Sequence, residues 1–238
     1  MFTPEELIES SQILYEDNHL IVINKKASEI VQGDKTGDMP LSEKVKNYIK
    51  QRDQKPGNVF CGVCHRLDRP VSGIVIFAKT SKALSRMNEI FRDKAIQKTY
   101  LAVVKNKLPL VKQRLTHYLI KNEKANKSKA FETEKPGSSK AELEYTLLAS
   151  IANYHLLEVN LFTGRHHQIR AQLSAIGCPI KGDLKYGFDR SNADASIHLH
   201  SYKAEFIHPI KLEKISIVCK PHTKDTVWNE LMKAVLSS

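Results

Sequence analysis

Long apolar runs are absent from this 238-residue chain. No segment approaches 18 consecutive apolar residues, which argues against a membrane span. The N-terminus has neither a basic start nor an apolar stretch behind it, so no secretory signal is predicted. Four cysteines are too few for a disulfide framework in a chain of this length. Together these absences predict a cytoplasmic protein with reduced thiols and no membrane partner.

Acidic residues are in the minority: 26 Asp and Glu stand against 37 Lys and Arg, a net charge of +11. Such an excess favours a polyanionic partner, most commonly nucleic acid, over a basic enzyme that has none. Hydrophobic residues make up 41% and charged residues 26%, which is ordinary for a globular protein with a substantial core. No obligate protein partner is predicted.

The chain shows no internal repeat and no clear linker, so we predict one domain over residues 1–238 with a core from about 13 to 221. Strands are predicted at 13–24 (two short strands), 59–64, 74–78, 99–104, 141–148, 155–161, 198–202 and 215–218, and helices at 42–51, 81–94, 163–177 and 225–236. Residues 121–140, with six lysines, predict an exposed basic hairpin or mobile loop. The strand count favours an α+β fold, a mostly antiparallel mixed sheet flanked by helices.

The segment 65–73, His-Arg-Leu-Asp-Arg-Pro-Val-Ser-Gly, is the most informative of the sequence. It places Asp68 between Arg66 and Arg69, just before an apolar strand. A carboxylate held between cations stays ionised, which suits a nucleophile or an electrostatic anchor better than a general acid. The alternative is a surface turn with a salt-bridged aspartate.

A second cluster, Thr-Gly-Arg-His-His-Gln-Ile-Arg at 163–170, follows a predicted strand. The backbone N–H groups of a helix N-terminus favour anions, here a phosphate or a carboxylate shared with Arg165. His166 and His167 fit a phosphate-contacting pair better than a general base, because adjacent residues on a helix point in different directions. Arg170 adds a further positive charge.

The string Cys-x-x-Cys-His at 61–65 matches the pattern for c-type haem attachment. Covalent haem attachment belongs to exported proteins. A zinc site would need a second ligand pair, which the isolated Cys178 and Cys219 do not supply. We therefore predict that Cys61 and Cys64 are buried strand cysteines and that they hold neither haem nor a metal. A redox or haem protein is the alternative.

Four segments, 65–73, 98–102, 163–170 and 177–183, together resemble the RluA-type family of pseudouridine synthases in order and spacing. The first and third are specific, whereas Lys-Thr-Tyr-Leu-Ala at 98–102 means little without them. Many members have Thr where Val71 and His166 stand, which bears on substrate preference rather than reaction class. Many relatives carry an N-terminal S4 RNA-binding domain. The residues before Ile13 leave no room for one, so the resemblance implies the compact branch.

The resemblance implies a pseudouridine synthase-like fold with a central active-site cleft. It also implies cofactor-free isomerisation of uridine to pseudouridine in rRNA or tRNA. Asp68 would attack ribose C1′ or remove a sugar proton, with Arg165 as its charge partner. Tyr100 would stack on the uracil or help to remove the C5 proton.

The remaining expectations concern RNA contacts. By the resemblance, Arg66 would fill the space left by the extruded base. Arg69 is expected to be a scaffold residue or to contact the RNA, and His166, His167 and Arg170 are expected to contact the RNA. The rival hypothesis is a non-catalytic RNA-binding protein or RNA chaperone on the same fold. The combination of Asp68, Tyr100 and Arg165 counts against it, because binding alone does not require a buried carboxylate.

Overall fold

The computed structural model describes residues 2–221 and 225–236, which form two compact units. Unit 1 consists of residues 2–96 and 203–219, and unit 2 of residues 97–202, 220–221 and 225–236. A single catalytic domain without an S4 domain remains a prediction. None of the helices in the described ranges has both the length and the apolar character needed to cross a membrane.

The described residues contain eleven β-strands and four α-helices. The strands are β1 (Ile13–Glu16), β2 (Leu20–Lys25), β3 (Gly62–Val63), β4 (Ser72–Ala78), β5 (Gln97–Val104), β6 (Lys112–Asn122), β7 (Lys127–Phe131), β8 (Ser139–Ile151), β9 (Tyr154–Leu161), β10 (Leu199–Ile207) and β11 (Lys214–Val218). The helices are α1 (Leu41–Arg52), α2 (Ser81–Arg92), α3 (Gln168–Ala175) and α4 (Thr226–Leu236). The predicted α+β fold is confirmed, whereas the central cleft remains a prediction.

In unit 1, β2 pairs antiparallel with both β1 and β4, and β4 also pairs with β3. Alternate side chains of β2 enter separate hydrophobic clusters, because successive residues of a strand point to opposite faces. Ile21 and Ile23 pack with α1, and Leu20 and Val22 pack with α2. Burial on both faces explains why β2 and β4 read as continuous apolar runs.

In unit 2, the antiparallel strand order is β5-β9-β8-β6-β7. Leu101 and Val103 of β5 pack with Trp228 and Leu231 of α4. Tyr100, one residue from Leu101, therefore lies on the other face of this sheet.

The face of Tyr100 is also the face covered by α3. Tyr100 lies opposite Val159 of β9, which in turn lies opposite Tyr145 of β8. Tyr145 has the same strand parity as Ala141, and Ala141 packs with Ala171 of α3. The segment that follows β9 thus returns over the surface that carries Tyr100.

Among the boundaries that differ from the sequence prediction, two concern segments beside the candidate site residues. α3 begins at Gln168 rather than near Thr163, because His167 adopts a left-handed conformation with φ of 53° that interrupts a helix. Of the predicted strand 59–64, only Gly62–Val63 is paired as β3. Arg165 and His166 consequently lie in a turn before α3 rather than on the helix.

Candidate active site

Asp68 lies in the turn that leads into β4 of unit 1. The N–H of Val71 donates to the carbonyl oxygen of Asp68 at 3.0 Å and closes the turn. The N–H of Ser28 donates to the carbonyl oxygen of Arg69 at 2.9 Å, which attaches the turn to the segment after β2. The Asp68 side chain is half-buried. The backbone therefore holds this carboxylate at a defined place in unit 1.

The two arginines that flank Asp68 have different environments. The Arg69 guanidinium donates to Asp38 at 2.6 Å and to the Thr36 hydroxyl at 2.7 Å, so it fixes the loop that precedes α1. Arg66 is exposed. These contacts favour a scaffold role for Arg69 over the RNA contact predicted for it, and leave Arg66 accessible.

Lys25, the last residue of β2, is fully buried, with 0% of its surface exposed. Its ammonium donates to the carbonyl oxygens of Lys26 at 2.9 Å and of Arg69 at 3.1 Å. Burial lowers the pKa of Lys25 to about 7, and the negative charges of Glu29 and Asp68 oppose this shift. Sequence reasoning missed Lys25. The available signal was a lysine directly after an apolar strand.

Cys61 and Cys64 face different hydrophobic clusters of unit 1. Cys61 is buried with the residues around α1, and Cys64 packs against those around α2. Burial raises the pKa of each thiol to about 12, which keeps both protonated and makes them poor metal ligands. Among the residues that the structure describes, no group of three or more His, Cys, Asp or Glu is arranged to hold a metal ion.

Tyr100 lies in the middle of β5 in unit 2 and is 7% exposed. Lys98, two residues earlier, shares its face of the sheet. A Cβ atom added to Gly164 would lie 3.4 Å from the Lys98 ammonium nitrogen, so this lysine reaches the turn that carries Arg165. Burial lowers the pKa of Lys98. Sequence reasoning assigned no role to Lys98, although its offset of two residues from Tyr100 was visible.

Arg165 lies in the turn between β9 and α3, and its side chain is exposed. The side-chain oxygen of Gln168 accepts the Arg165 N–H at 2.9 Å and the Thr163 hydroxyl at 2.8 Å. The Arg165 Nε donates to the carbonyl oxygen of Lys140 at 3.1 Å. Gln168, the first residue of α3, therefore holds this turn by hydrogen bonds. The Arg165 guanidinium lies on the surface of unit 2.

His166 attaches the same turn to the β6–β7 hairpin. Its Nδ1 lies 2.9 Å from the Ser128 hydroxyl and its Nε2 lies 3.0 Å from the Asn126 side-chain oxygen. The Ser128 hydroxyl also contacts the carbonyl oxygen of His166 at 2.8 Å. This lysine-rich hairpin overlaps the segment 121–140, for which the sequence predicts a basic hairpin or a mobile loop, and His166 links it to the turn of Arg165.

His167 and Arg170 belong to a buried network in unit 2. Arg170 is 5% exposed and donates to both carboxylate oxygens of Asp183, at 2.7 and 2.8 Å. It also lies 3.0 Å from the Nε2 of His167, whose Nδ1 lies 2.9 Å from the Tyr186 hydroxyl. Burial, followed by the charge of Arg170, lowers the pKa of His167 to about 2. This environment favours structural roles for these two residues over the RNA contacts predicted for them.

The predicted site residues are thus distributed over both units. Arg66, Asp68 and Arg69 belong to unit 1, whereas Tyr100, Arg165, His166, His167 and Arg170 belong to unit 2. Within unit 2, Tyr100 and the Arg165 turn share one face of the sheet, and His166, His167 and Arg170 surround Ser128, Tyr186 and Asp183.

Comparison with known proteins bears on what these residues do. A family model described as RNA pseudouridylate synthase matches residues 19–175. The chain belongs to this family. The matched range contains Asp68, Tyr100 and Arg165, and it confirms the resemblance to RluA-type enzymes, which are isomerases that act on RNA.

Two curated relatives show how far the similarity extends. The chain is 34% identical over 214 residues to ribosomal large subunit pseudouridine synthase C of Buchnera aphidicola subsp. Acyrthosiphon pisum, covering 87% of this chain and 66% of that protein. It is 32% identical over 240 residues to tRNA pseudouridine synthase C of Haemophilus influenzae, covering 93% and 96%. The chain thus spans about two thirds of the ribosomal relative and nearly all of the tRNA relative.

A solved structure confirms the fold. Human RNA Pseudouridylate Synthase Domain Containing 4 superposes with a TM-score of 0.76 at 22% identity, covering 95% of this chain and 94% of that one. At this identity the likeness concerns the fold alone.

Proposed function

We propose that this protein is a cytoplasmic RNA pseudouridine synthase that isomerises specific uridines of ribosomal or transfer RNA without a cofactor. The family match over residues 19–175 carries the proposal, because it includes the aspartate, the tyrosine and the arginine that the reaction requires. Both RNA classes are named because the relatives include a ribosomal large subunit enzyme and a tRNA enzyme.

The isomerisation breaks the N1–C1′ bond of uridine, turns the uracil, joins C5 to C1′ and moves the proton of C5 to solvent while N1 gains one. Asp68 is the ionised carboxylate that either attacks C1′ or removes a sugar proton to form a glycal. Its place on a turn fixed by backbone hydrogen bonds supports this role, since a nucleophile must be held close to its reacting atom. The half-buried setting also limits competing water.

Arg165 and Tyr100 act on the same uridine as Asp68. Arg165 supplies the positive charge that keeps the carboxylate ionised once RNA excludes water, because an unpaired buried carboxylate would take up a proton. Tyr100 orients the uracil by stacking. We rank proton removal from C5 second, because a neutral phenol is a weak base at neutral pH.

RNA binding depends on the positive charge of the chain, +11 in total. The target uridine is extruded from folded RNA, and Arg66, which is exposed, fills the gap that it leaves. The lysines of the β6–β7 hairpin contact phosphates. RNA affinity should therefore fall steeply between low and physiological salt, as counterion release requires.

The test is tritium release from ribosomal and transfer RNA transcripts labelled with [5-³H]uridine, since only C5–C1′ bond formation frees the label. The wild-type protein should release tritium, and Asp68→Asn should release none while it binds the same RNA and retains its fold. Turnover by Asp68→Asn near the wild-type rate would remove Asp68 from the mechanism. RNA binding without any tritium release by the wild type would favour a non-catalytic RNA-binding protein.

A further inference from the structure

Lys25 buries its whole side chain next to the turn that carries Asp68. It closes β2 opposite Gly73 of β4, one residue after the start of that strand. An ammonium group removed from water is destabilising unless hydrogen bonds and negative charge compensate for the lost hydration. The hydrogen bonds and charged neighbours of Lys25 therefore identify what stabilises its buried ammonium group.

The hydrogen bonds of Lys25 fix the backbone after Asp68. One N–H of the ammonium donates to the carbonyl oxygen of Arg69 at 3.1 Å, and another donates to the carbonyl oxygen of Lys26 at 2.9 Å. The Arg69 oxygen also accepts the N–H of Ser28 at 2.9 Å. Two donors, one at the end of β2 and one in the segment after it, thus hold the carbonyl group of Arg69, the residue that follows the proposed nucleophile.

Three charged groups act on Lys25: the negative charges of Glu29 and Asp68, and the positive charge of Arg69. The Arg69 guanidinium is paired with Asp38. Glu29 already accepts the N–H of Lys26 at 2.8 Å. Of the two acids, Asp68 belongs to the turn whose Arg69 carbonyl oxygen accepts the Lys25 ammonium, so Lys25 is joined to this turn by a hydrogen bond and acts on Asp68 through its charge.

We propose that Lys25 is a positioning residue for Asp68: its ammonium fixes the Arg69 carbonyl and supplies positive charge to the Asp68 carboxylate. This assigns to Lys25 a task that the sequence suggests for Arg66 and Arg69. The catalytic consequence rests on the proposed function, whereas the charge coupling is a property of the folded chain alone.

The first test follows the ionisation of Lys25 directly, by NMR of its ε-carbon during a pH titration of wild type and Asp68→Asn. Burial predicts a wild-type midpoint near the pKa of about 7. Asp68→Asn should lower this midpoint by about half a unit or more, because an opposite charge has been removed. A midpoint that Asp68→Asn leaves unchanged would overturn the proposal, whether or not the protein is an active enzyme.

The second test measures single-turnover tritium release and RNA affinity for Lys25→Met, with Lys26→Met as the matched control. Lys26 is the neighbouring exposed lysine, paired with Glu9. Lys25→Met should lower the rate by about tenfold to hundredfold, with RNA affinity within about twofold of wild type. Lys26→Met should keep the wild-type rate, and Lys25→Arg should recover part of the loss.

The outcomes separate this proposal from the proposed function. No tritium release by the wild type would remove the proposed function and leave the NMR titration to decide the coupling. A folded Lys25→Met with the wild-type rate would exclude a positioning role. If circular dichroism shows that Lys25→Met does not fold, the titration of the wild type and Asp68→Asn alone decides.

Discussion

The Nε2 atom of His65 accepts the backbone N–H of Ile76 at 3.1 Å. β3 ends at Val63, the N–H of Cys64 still donates to the carbonyl oxygen of Ile76 at 3.4 Å, and the His65 imidazole adds a side-chain hydrogen bond to the same residue of β4. Nε2 must be unprotonated to accept this bond. The turn that carries Asp68 therefore starts from a fixed point three residues before the carboxylate.

We predict that His65→Leu destabilises the protein by about 1–3 kcal/mol, because the Ile76 N–H is left buried without its acceptor. It should also slow single-turnover pseudouridine formation, since the Asp68 turn loses its attachment. His65→Gln keeps an acceptor and should lose less on both measures. Urea unfolding and tritium release compare the three proteins, and equal losses for Leu and Gln would contradict the role of the Nε2 acceptor.

Arg165→Ala and Arg69→Ala should separate the arginine proposed to be catalytic from the one that holds the loop before α1. We expect Arg165→Ala to lower the single-turnover rate by orders of magnitude, because the proposed function assigns to Arg165 a positive charge that acts on the carboxylate once RNA excludes water. Arg69→Ala removes partly exposed ion pairs with Asp34 and Asp38, and should reduce stability by no more than about 1 kcal/mol. A mild rate loss for Arg165→Ala would reassign that residue to phosphate binding.

Asp183→Asn should destabilise the protein by about 3–5 kcal/mol, because it leaves the buried Arg170 guanidinium without its counter-charge. The matched control is Asp189→Asn, which removes an exposed ion pair with Lys105 from the same unit. That variant should stay within about 0.5 kcal/mol of wild type. Urea unfolding at neutral pH measures both, and similar effects of the two variants would be incompatible with a structural Arg170.

Acid should weaken the fold through His198. Its Nε2 lies 3.0 Å from Asp225, and burial lowers its pKa to about 4 from the usual 6.5 despite that negative charge. The unfolded chain therefore binds a proton on His198 at a higher pH than the folded chain does. Stability is fully present above about pH 6.5 and is lost as the pH falls towards 4, by up to about 3 kcal/mol.

His198→Gln isolates the contribution of His198. His167, whose pKa burial also lowers, is present in both proteins and contributes equally to their pH dependence. Unfolding free energies measured from pH 7 to pH 4 should fall less steeply for the variant than for wild type. Parallel curves would show that His198 does not contribute to the pH dependence.

Local pattern was sufficient to predict most of the elements and the Asp68 turn. The apolar run of β2 and the helical spacing of α1 and α2 are properties of short segments, and the structure confirms these elements. The start of α3 was wrong because the left-handed His167 leaves no mark in the hydrophobic pattern. The pairing of Arg69 with Asp38 joins residues 31 positions apart, and only the fold brings them together.

The residues that act through burial were the least visible in the sequence. Lysine is usually exposed, so nothing in the composition distinguishes Lys25 from the neighbouring Lys26. Only the tertiary structure shows that Lys25 is fully buried while Lys26 is exposed. Similarly, two arginines beside an aspartate indicate a charge cluster, but they do not show that Arg69 instead binds Asp38 in the loop before α1.

The placement of Cys61 and Cys64 has a consequence for oxidative stress. The two thiols flank β3 at an odd offset, and each packs in a different hydrophobic cluster of unit 1. A disulfide needs Cβ atoms about 4 Å apart with side chains directed towards each other. β3 would therefore have to separate from β4 before these two thiols could form a disulfide. We expect the Asp68 turn to keep its attachment to β4 under conditions that oxidise exposed dithiols.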